Sequence, residues 1–158
     1  MSLSTIPNPI LKIPEKWNLS SEELHQIYLV EKKQSKLLRE EKNSEIRKKS
    51  YSSVYDDYFK KLPFHPQFTI KDNKRIRESR LRFQLNQIKN LLDKNKIFVE
   101  IGAGDCSLTI EVSNYCKEAI ALEVSEEIIK GCNFTKNSRC LIFDGFNLPI
   151  DDNYADLA

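Results

Sequence analysis

The stretch from Ile97 to Thr109 constrains this chain more than any other. Ile97-Phe98-Val99-Glu100-Ile101 is dominated by apolar residues and reads as a buried strand. Gly102 and Gly104 interrupt it, and a stripe at helical spacing (Leu108, Val112, Tyr115) follows directly. Strand, tight turn and helix in that order open a parallel α/β sheet. The glycines let the turn adopt positive φ and admit a ligand where a Cβ would collide, so a small-molecule site is expected there.

The pattern then repeats. Glu118-Ala119-Ile120-Ala121-Leu122-Glu123 reads as a second short strand ending in a carboxylate, with Ser125 as the N-cap of the next helix and Gly131 as its stop. Arg139-Cys140-Leu141-Ile142-Phe143-Asp144 reads as a third. In a right-handed βαβ array the carboxyl ends of parallel strands share one edge, so Glu100, Glu123 and Asp144 are expected to converge around the glycine turn. Three carboxylates suit the hydroxyls of a ribose and the amine of an adenine, and they repel phosphate. A dinucleotide fingerprint also needs a third glycine where Ser107 stands.

With Glu100 two residues ahead of Gly102-Ala103-Gly104, the turn resembles motif I of the class I S-adenosylmethionine-dependent methyltransferases, with Cys106 at the place of that family's third glycine. Asp144-Gly145-Phe146-Asn147-Leu148-Pro149, running on through an acidic turn to Tyr154, resembles the stretch that leads to the fourth strand in the small-molecule type of that family. The likeness covers about residues 72–158. It implies a Rossmann-like α/β fold and S-adenosyl-L-methionine as cofactor. It also implies a binding set of Glu100, Ile101, Gly102, Ala103, Gly104, Glu123, Val124, Asp144 and Gly145. Within that set Glu123 would hold the ribose, Asp144 the adenine amine and Gly145 the ring through its backbone N–H. Gly102 to Gly104 would underlie the methionine portion, and Glu100 would hold its amino end. No residue presents itself as the catalytic base, and none is assigned.

Composition narrows the remaining options. A chain of 158 residues with 40% hydrophobic and 30% charged residues has a globular composition. No membrane span or secretory leader is read, and the four cysteines lack metal-ligand spacing, so reduced thiols in a cytoplasmic protein, with no metal, are expected. Residues 1–96 hold 21 Lys and Arg against 12 Asp and Glu, whereas residues 97–158 hold 4 against 11. Because both signs alternate along the helices, solvated helix faces are preferred over a nucleic-acid surface.

The N-terminal part, residues 1–71, reads as an arm carrying Pro7, Pro9 and Pro14 followed by a helical extension. Ser20 and Glu23 form a capping box, from which a charged helix with a thin apolar stripe is expected to reach about Lys49 and to pack loosely or find a partner chain. Tyr51, Val54, Tyr55, Tyr58, Phe59 and Leu62 share one face of the next helix, as core or as the wall of a substrate pocket. Pro63 and Pro66 place His65 in a loop, where a structural role is preferred over contact with substrate. A further helix from Asp72 to Asp93 carries Arg75, Arg77, Arg80 and Arg82, read as a solvated face in preference to an anion site.

Residues 72–158 would then be the N-terminal half of a cofactor-binding domain, interrupted as the fourth strand begins. Self-association through the open edge of the first strand, or through the N-terminal helix, and feeble turnover are the corresponding expectations. The acceptor would be a small molecule. The alternatives are a Rossmann-type NAD-dependent oxidoreductase and a non-catalytic helical interaction module.

Overall fold

The computed structural model describes residues 19–68 and 74–158. The proline-bearing arm and Asp72 lie outside the described residues. The chain is a mixed α/β fold, consistent with the Rossmann-like class. Helices α1 (Ser21–Glu40), α2 (Ser44–Lys61) and α3 (Lys74–Ile88) precede strand β1 (Ile97–Ile101). Helix α4 (Ser107–Val112), strand β2 (Glu118–Glu123), helix α5 (Glu126–Ile129) and strand β3 (Ser138–Ile142) follow. The three strands form a parallel sheet in the order β1-β2-β3, with Glu100 opposite Ala121 and Ala121 opposite Cys140.

The sheet alternates as a parallel sheet covered on both faces must. On one face Phe98 and Ala119 meet Leu85 of α3 and Val112 of α4. On the other, Val99, Ile120 and Leu122 are covered by Leu141, Ile150, Tyr154 and Ala155. The far edge of β1 receives the last residues of the chain: the Val99 N–H donates to the Leu157 carbonyl (2.9 Å), and the Ile97 N–H to the Asp156 carboxylate (2.8 Å). Phe98 and Leu157 form a parallel bridge.

The helix expected to run to Lys49 is instead two. Asn43 breaks it, because its Oδ1 accepts from the N–H groups of Glu45 and Ile46 and so nucleates α2 in place of one more turn of α1. The capping box at Ser20 forms as expected, with both reciprocal bonds present. After the three-residue break α2 folds back along α1. Gln34 reaches the Val54 carbonyl (2.8 Å), the Tyr58 hydroxyl reaches Glu31 (2.9 Å), and Ile27 packs with Tyr58, Phe59 and Leu62. The thin stripe of α1 is therefore matched to α2 in the same chain. His65 lies in the loop expected for it, and the adjustment concerns Pro66 and Gln67, which begin a helical turn directly after it. Its Nδ1 accepts from the Gln67 N–H (3.2 Å) and its ring is packed against Tyr58 and Phe59.

Helix α2 does not stand apart from the sheet. Asp56 accepts from the Ser125 hydroxyl (2.6 Å) and the Glu127 N–H (3.1 Å), Ser52 donates to the Val124 carbonyl (2.6 Å), and Ile128 enters the α1–α2 core. The contact crosses from residues 1–71 into residues 72–158. Replacing Asp56 by Ala leaves the buried Ser125 hydroxyl without its acceptor and one N–H of α5 uncapped. It should cost about 1–3 kcal/mol in chemical denaturation, the scale of an unmade buried hydrogen bond.

Candidate functional site

The carboxyl edge of the sheet forms the floor of a cleft and the α1–α2 pair forms its roof. The cavity measures about 1220 Å³ and is lined by Ile101, Gly102, Gly104, Glu123, Val124 and Gly145 from below. Tyr28, Glu31, Tyr51, Tyr55, Tyr58 and His65 line it from above and Arg80 from the side. Six of the nine expected binding residues thus share one cavity. Glu100, Ala103 and Asp144 do not line it.

The floor is shaped by backbone conformations that an ordinary side chain resists. Gly102 and Gly104 have φ of +71° and +57°. A Cβ at Gly102 would meet nothing within 4 Å, and at Gly104 the nearest atom would be Gln67 Nε2 at 3.7 Å. What excludes larger residues there is left-handed backbone, with open space above it. Gly145, also at positive φ, differs: a Cβ would lie 2.8 Å from the ring of Tyr51. That ring in turn packs edge-on against Phe146 at 5.6 Å between centroids.

Each expected acid has partners within the chain. Glu123, buried at the end of β2, accepts from the N–H groups of Gly104 (2.6 Å), Val124 (2.8 Å) and Ser125 (3.2 Å). Glu100 points away from the cleft into α4, where Thr109 donates both its N–H (3.0 Å) and its hydroxyl (2.6 Å). Asp144 holds its own turn, accepting from the N–H groups of Phe146 and Asn147 and from the Asn147 side chain. The three carboxylates share an edge as the topology requires, but only Glu123 faces the cavity.

Burial pushes the Glu100 carboxyl above the usual glutamate range, and its two bonds from Thr109 only partly oppose that. Burial first, then the hydrogen bond it donates to Tyr51 and the charges of Tyr51 and Glu123, push the Tyr55 hydroxyl up to about 12, so it stays a donor at neutral pH. His65 is held below its usual value by burial, with the charge of Glu31 opposing.

Arg80 departs from the solvated face expected of it. Its Nη2 pairs with Asp105 (2.9 Å), the residue after Gly104, so α3 is tied to the glycine turn. Its Nε is buried and has no hydrogen-bond partner among the described residues. Glu31 was not anticipated; its only mark in the sequence is a position one turn after Ile27, and its pairing with Tyr58 depends on how α1 folds onto α2. Among the described residues no group of His, Cys, Asp or Glu side chains is arranged to hold a metal ion. Among the described residues no helix is long and apolar enough to cross a membrane.

Comparison with family models, with curated proteins and with solved structures gave no match.

The raised Glu100 carboxyl has a signed consequence. The native state holds this proton more tightly than the unfolded chain, so stability falls as pH rises from the ordinary glutamate value through the higher native one. Glu100→Gln, which keeps an acceptor for Thr109, should flatten that fall. Denaturant titrations of both proteins across this pH range read the difference.

Proposed function

We propose that this chain binds S-adenosyl-L-methionine in the cleft between the sheet edge and the α1–α2 roof, as part of a methyltransferase acting on a small molecule. The observation that carries the reading is the convergence of Gly102, Gly104, Glu123, Val124 and Gly145 on one cavity at the carboxyl ends of parallel strands. Ligands of open α/β sheets bind at that edge. A nucleoside without phosphate suits it: among the described residues that line the cavity, the charged side chains are the carboxylates Glu31 and Glu123 and the cation Arg80. Clefts for small molecules run from roughly 300 to 1,000 Å³, so a cavity of about 1220 Å³ has room for cofactor and acceptor together.

Within that reading the residues divide the work. Gly102 and Gly104 admit the methionine portion against bare backbone, and Glu123 meets the ribose hydroxyls. The free Nε of Arg80 is a donor for the carboxylate of the same ligand. The tyrosines of the roof wall off the acceptor's side of the cleft. Methyl transfer needs a nucleophile held in line with the sulfonium carbon, and the cleft contributes position and exclusion of water. Tyr55 is protonated at neutral pH and serves as a donor, not as a base.

Calorimetry with S-adenosylhomocysteine tests this directly: saturable binding is expected, and binding of NAD in its place would establish the oxidoreductase alternative. Glu123→Ala should weaken S-adenosylhomocysteine by about 1.5–3 kcal/mol, the value of hydrogen bonds to a charged group. Gly104→Val should be worse, because φ of +57° is strained for a β-branched residue and the new methyls project into the cleft. Unchanged affinity in both would remove the assignment.

A further inference from the structure

Directly beneath the glycine turn lies a group of three thiols that the cofactor reading leaves unused. Cys106 follows the turn, is fully buried, and sits in left-handed backbone with φ of +54°, a conformation unusual for a residue bearing a Cβ. It packs with Ala103 and Ala121, and Cys132 and Cys140 pack against the same cluster. The register explains the meeting: Ala121 of β2 lies opposite Cys140 of β3, so a residue that covers Ala121 is brought to Cys140. The Cys106 thiol donates to the Gly104 carbonyl (3.7 Å), and the neighbouring Cys132 and Cys140 thiols, with burial, push it well above the usual thiol range. The Cys132 thiol also donates to the Asp105 carbonyl (3.3 Å). All four cysteines of the chain are unbridged, and the fourth, Cys116, lies elsewhere, bonded to the Glu118 carbonyl.

The geometry points to an oxidative modification site in which Cys140 and Cys106 form a disulfide on exposure to hydrogen peroxide, fixing the glycine turn to strand β3. Cys140 is the attacking thiol. It is partly exposed, and the Cys106 thiol beside it, with the Glu123 backbone, holds its thiol below the usual range against burial and the charges of Glu123 and Cys132. Cys106 is buried behind it and suits the resolving role. The Cys140 thiolate attacks one peroxide oxygen, the O–O bond breaks, and the displaced hydroxide takes the thiol's proton to leave as water. The Cys106 sulfur then attacks the resulting sulfenic acid; an S–S bond forms, the S–O bond breaks, and a second water leaves with the Cys106 proton. Two thiols lose two electrons and one peroxide becomes two waters. Cys132 stays outside the bridge because its thiol makes the shortest of the three carbonyl bonds, 3.3 Å to Asp105 against 3.7 Å from Cys106 to Gly104 and 3.8 Å from Cys140 to Leu141.

The consequence falls on the turn. In the reduced chain the segment from Gly102 to Cys106 is free to exchange the bond between Gly104 and Glu123 for a ligand. Tied to β3, it holds that bond closed. The disulfide itself does not depend on which ligand the cleft takes; only its effect on affinity rests on the cofactor reading.

The test treats the whole chain with hydrogen peroxide and digests it with trypsin. The expected product joins peptide 97–117 to peptide 140–158 with loss of two hydrogen atoms, disappears in Cys140→Ser and in Cys106→Ser, and survives in Cys132→Ser. Should Cys106→Ser fail to fold, Cys140→Ser and Cys140→Ala, altered at a partly exposed position, carry the comparison. Amide exchange across residues 102–106 should slow about tenfold on oxidation, and affinity for S-adenosylhomocysteine should drop about tenfold. Cross-linking through peptide 131–136, sulfinic acid at Cys140 with no cross-link, or unchanged amide exchange would overturn the proposal. A chain that cross-links and slows as described but binds no S-adenosylhomocysteine in either state supports the thiol site and removes the methyltransferase reading.

Discussion

One buried carboxylate ties the site together. Glu123 leaves the last position of β2 and gathers the N–H groups of Gly104, Val124 and Ser125, joining the glycine turn of one βα unit to the first residues of the next. Taking a carboxylate out of water is expensive unless its oxygens are met by donors, and three N–H groups meet it here. The same bonds satisfy backbone donors that the two turns would otherwise leave unmet at the sheet edge. The turn's left-handed glycines make this possible, since they aim the Gly104 N–H back toward β2.

The roof depends on that floor. Helix α2 docks through Asp56 and Ser52 onto the turn that Glu123 organises, and through Tyr51 onto Gly145. The basic N-terminal half and acidic C-terminal half suggest an electrostatic dock, but the contacts are of another kind. Several of the exposed ion pairs, such as Lys36 with Glu40 and Lys61 with Asp57, lie within single helices and contribute little. What joins the halves is a shared apolar cluster of Ile27, Tyr58, Phe59, Leu62 and Ile128, flanked by capping bonds that are partly out of water. Arg80 with Asp105 is an ion pair that does cross, and it fastens α3 to the turn.

Local chemistry made much of this legible. The apolar runs ending at Ile101 and Glu123, the glycine turn, and the caps at Ser20 and Ser125 are set by residues within a few positions of one another, and they stand where the sequence puts them. The third strand is shorter than expected and ends at Ile142, although the Phe143 N–H still donates to the Glu123 carbonyl (3.0 Å) before the chain turns at Asp144. The break at Asn43 is hidden in the sequence because a charged run with helical propensity on both sides masks a single side-chain competitor for the backbone. The docking of α2, the pairing of Glu31 with Tyr58 and the meeting of Cys106 with Cys140 were beyond reach for a different reason. They join residues 27 to 72 positions apart on separate elements, and no periodicity encodes which faces meet.

The three acids show how topology and chemistry can part. Parallel strands guarantee that Glu100, Glu123 and Asp144 reach one edge, but not that their side chains stay available there. Glu100 is committed to Thr109 and so stiffens the start of α4, while Asp144 stabilises an exposed turn. A carboxylate offers about four acceptor positions, and Glu123 has three of them filled by its own backbone. A ribose offering two hydroxyl donors would therefore compete with the Gly104 N–H for the same oxygen. Ligand binding at this edge and rearrangement of the glycine turn would then be one event, with the released N–H turned toward the ligand. The freedom of the turn, set by Gly102, Gly104 and the thiol layer beneath them, would enter the affinity as directly as any contact the ligand makes.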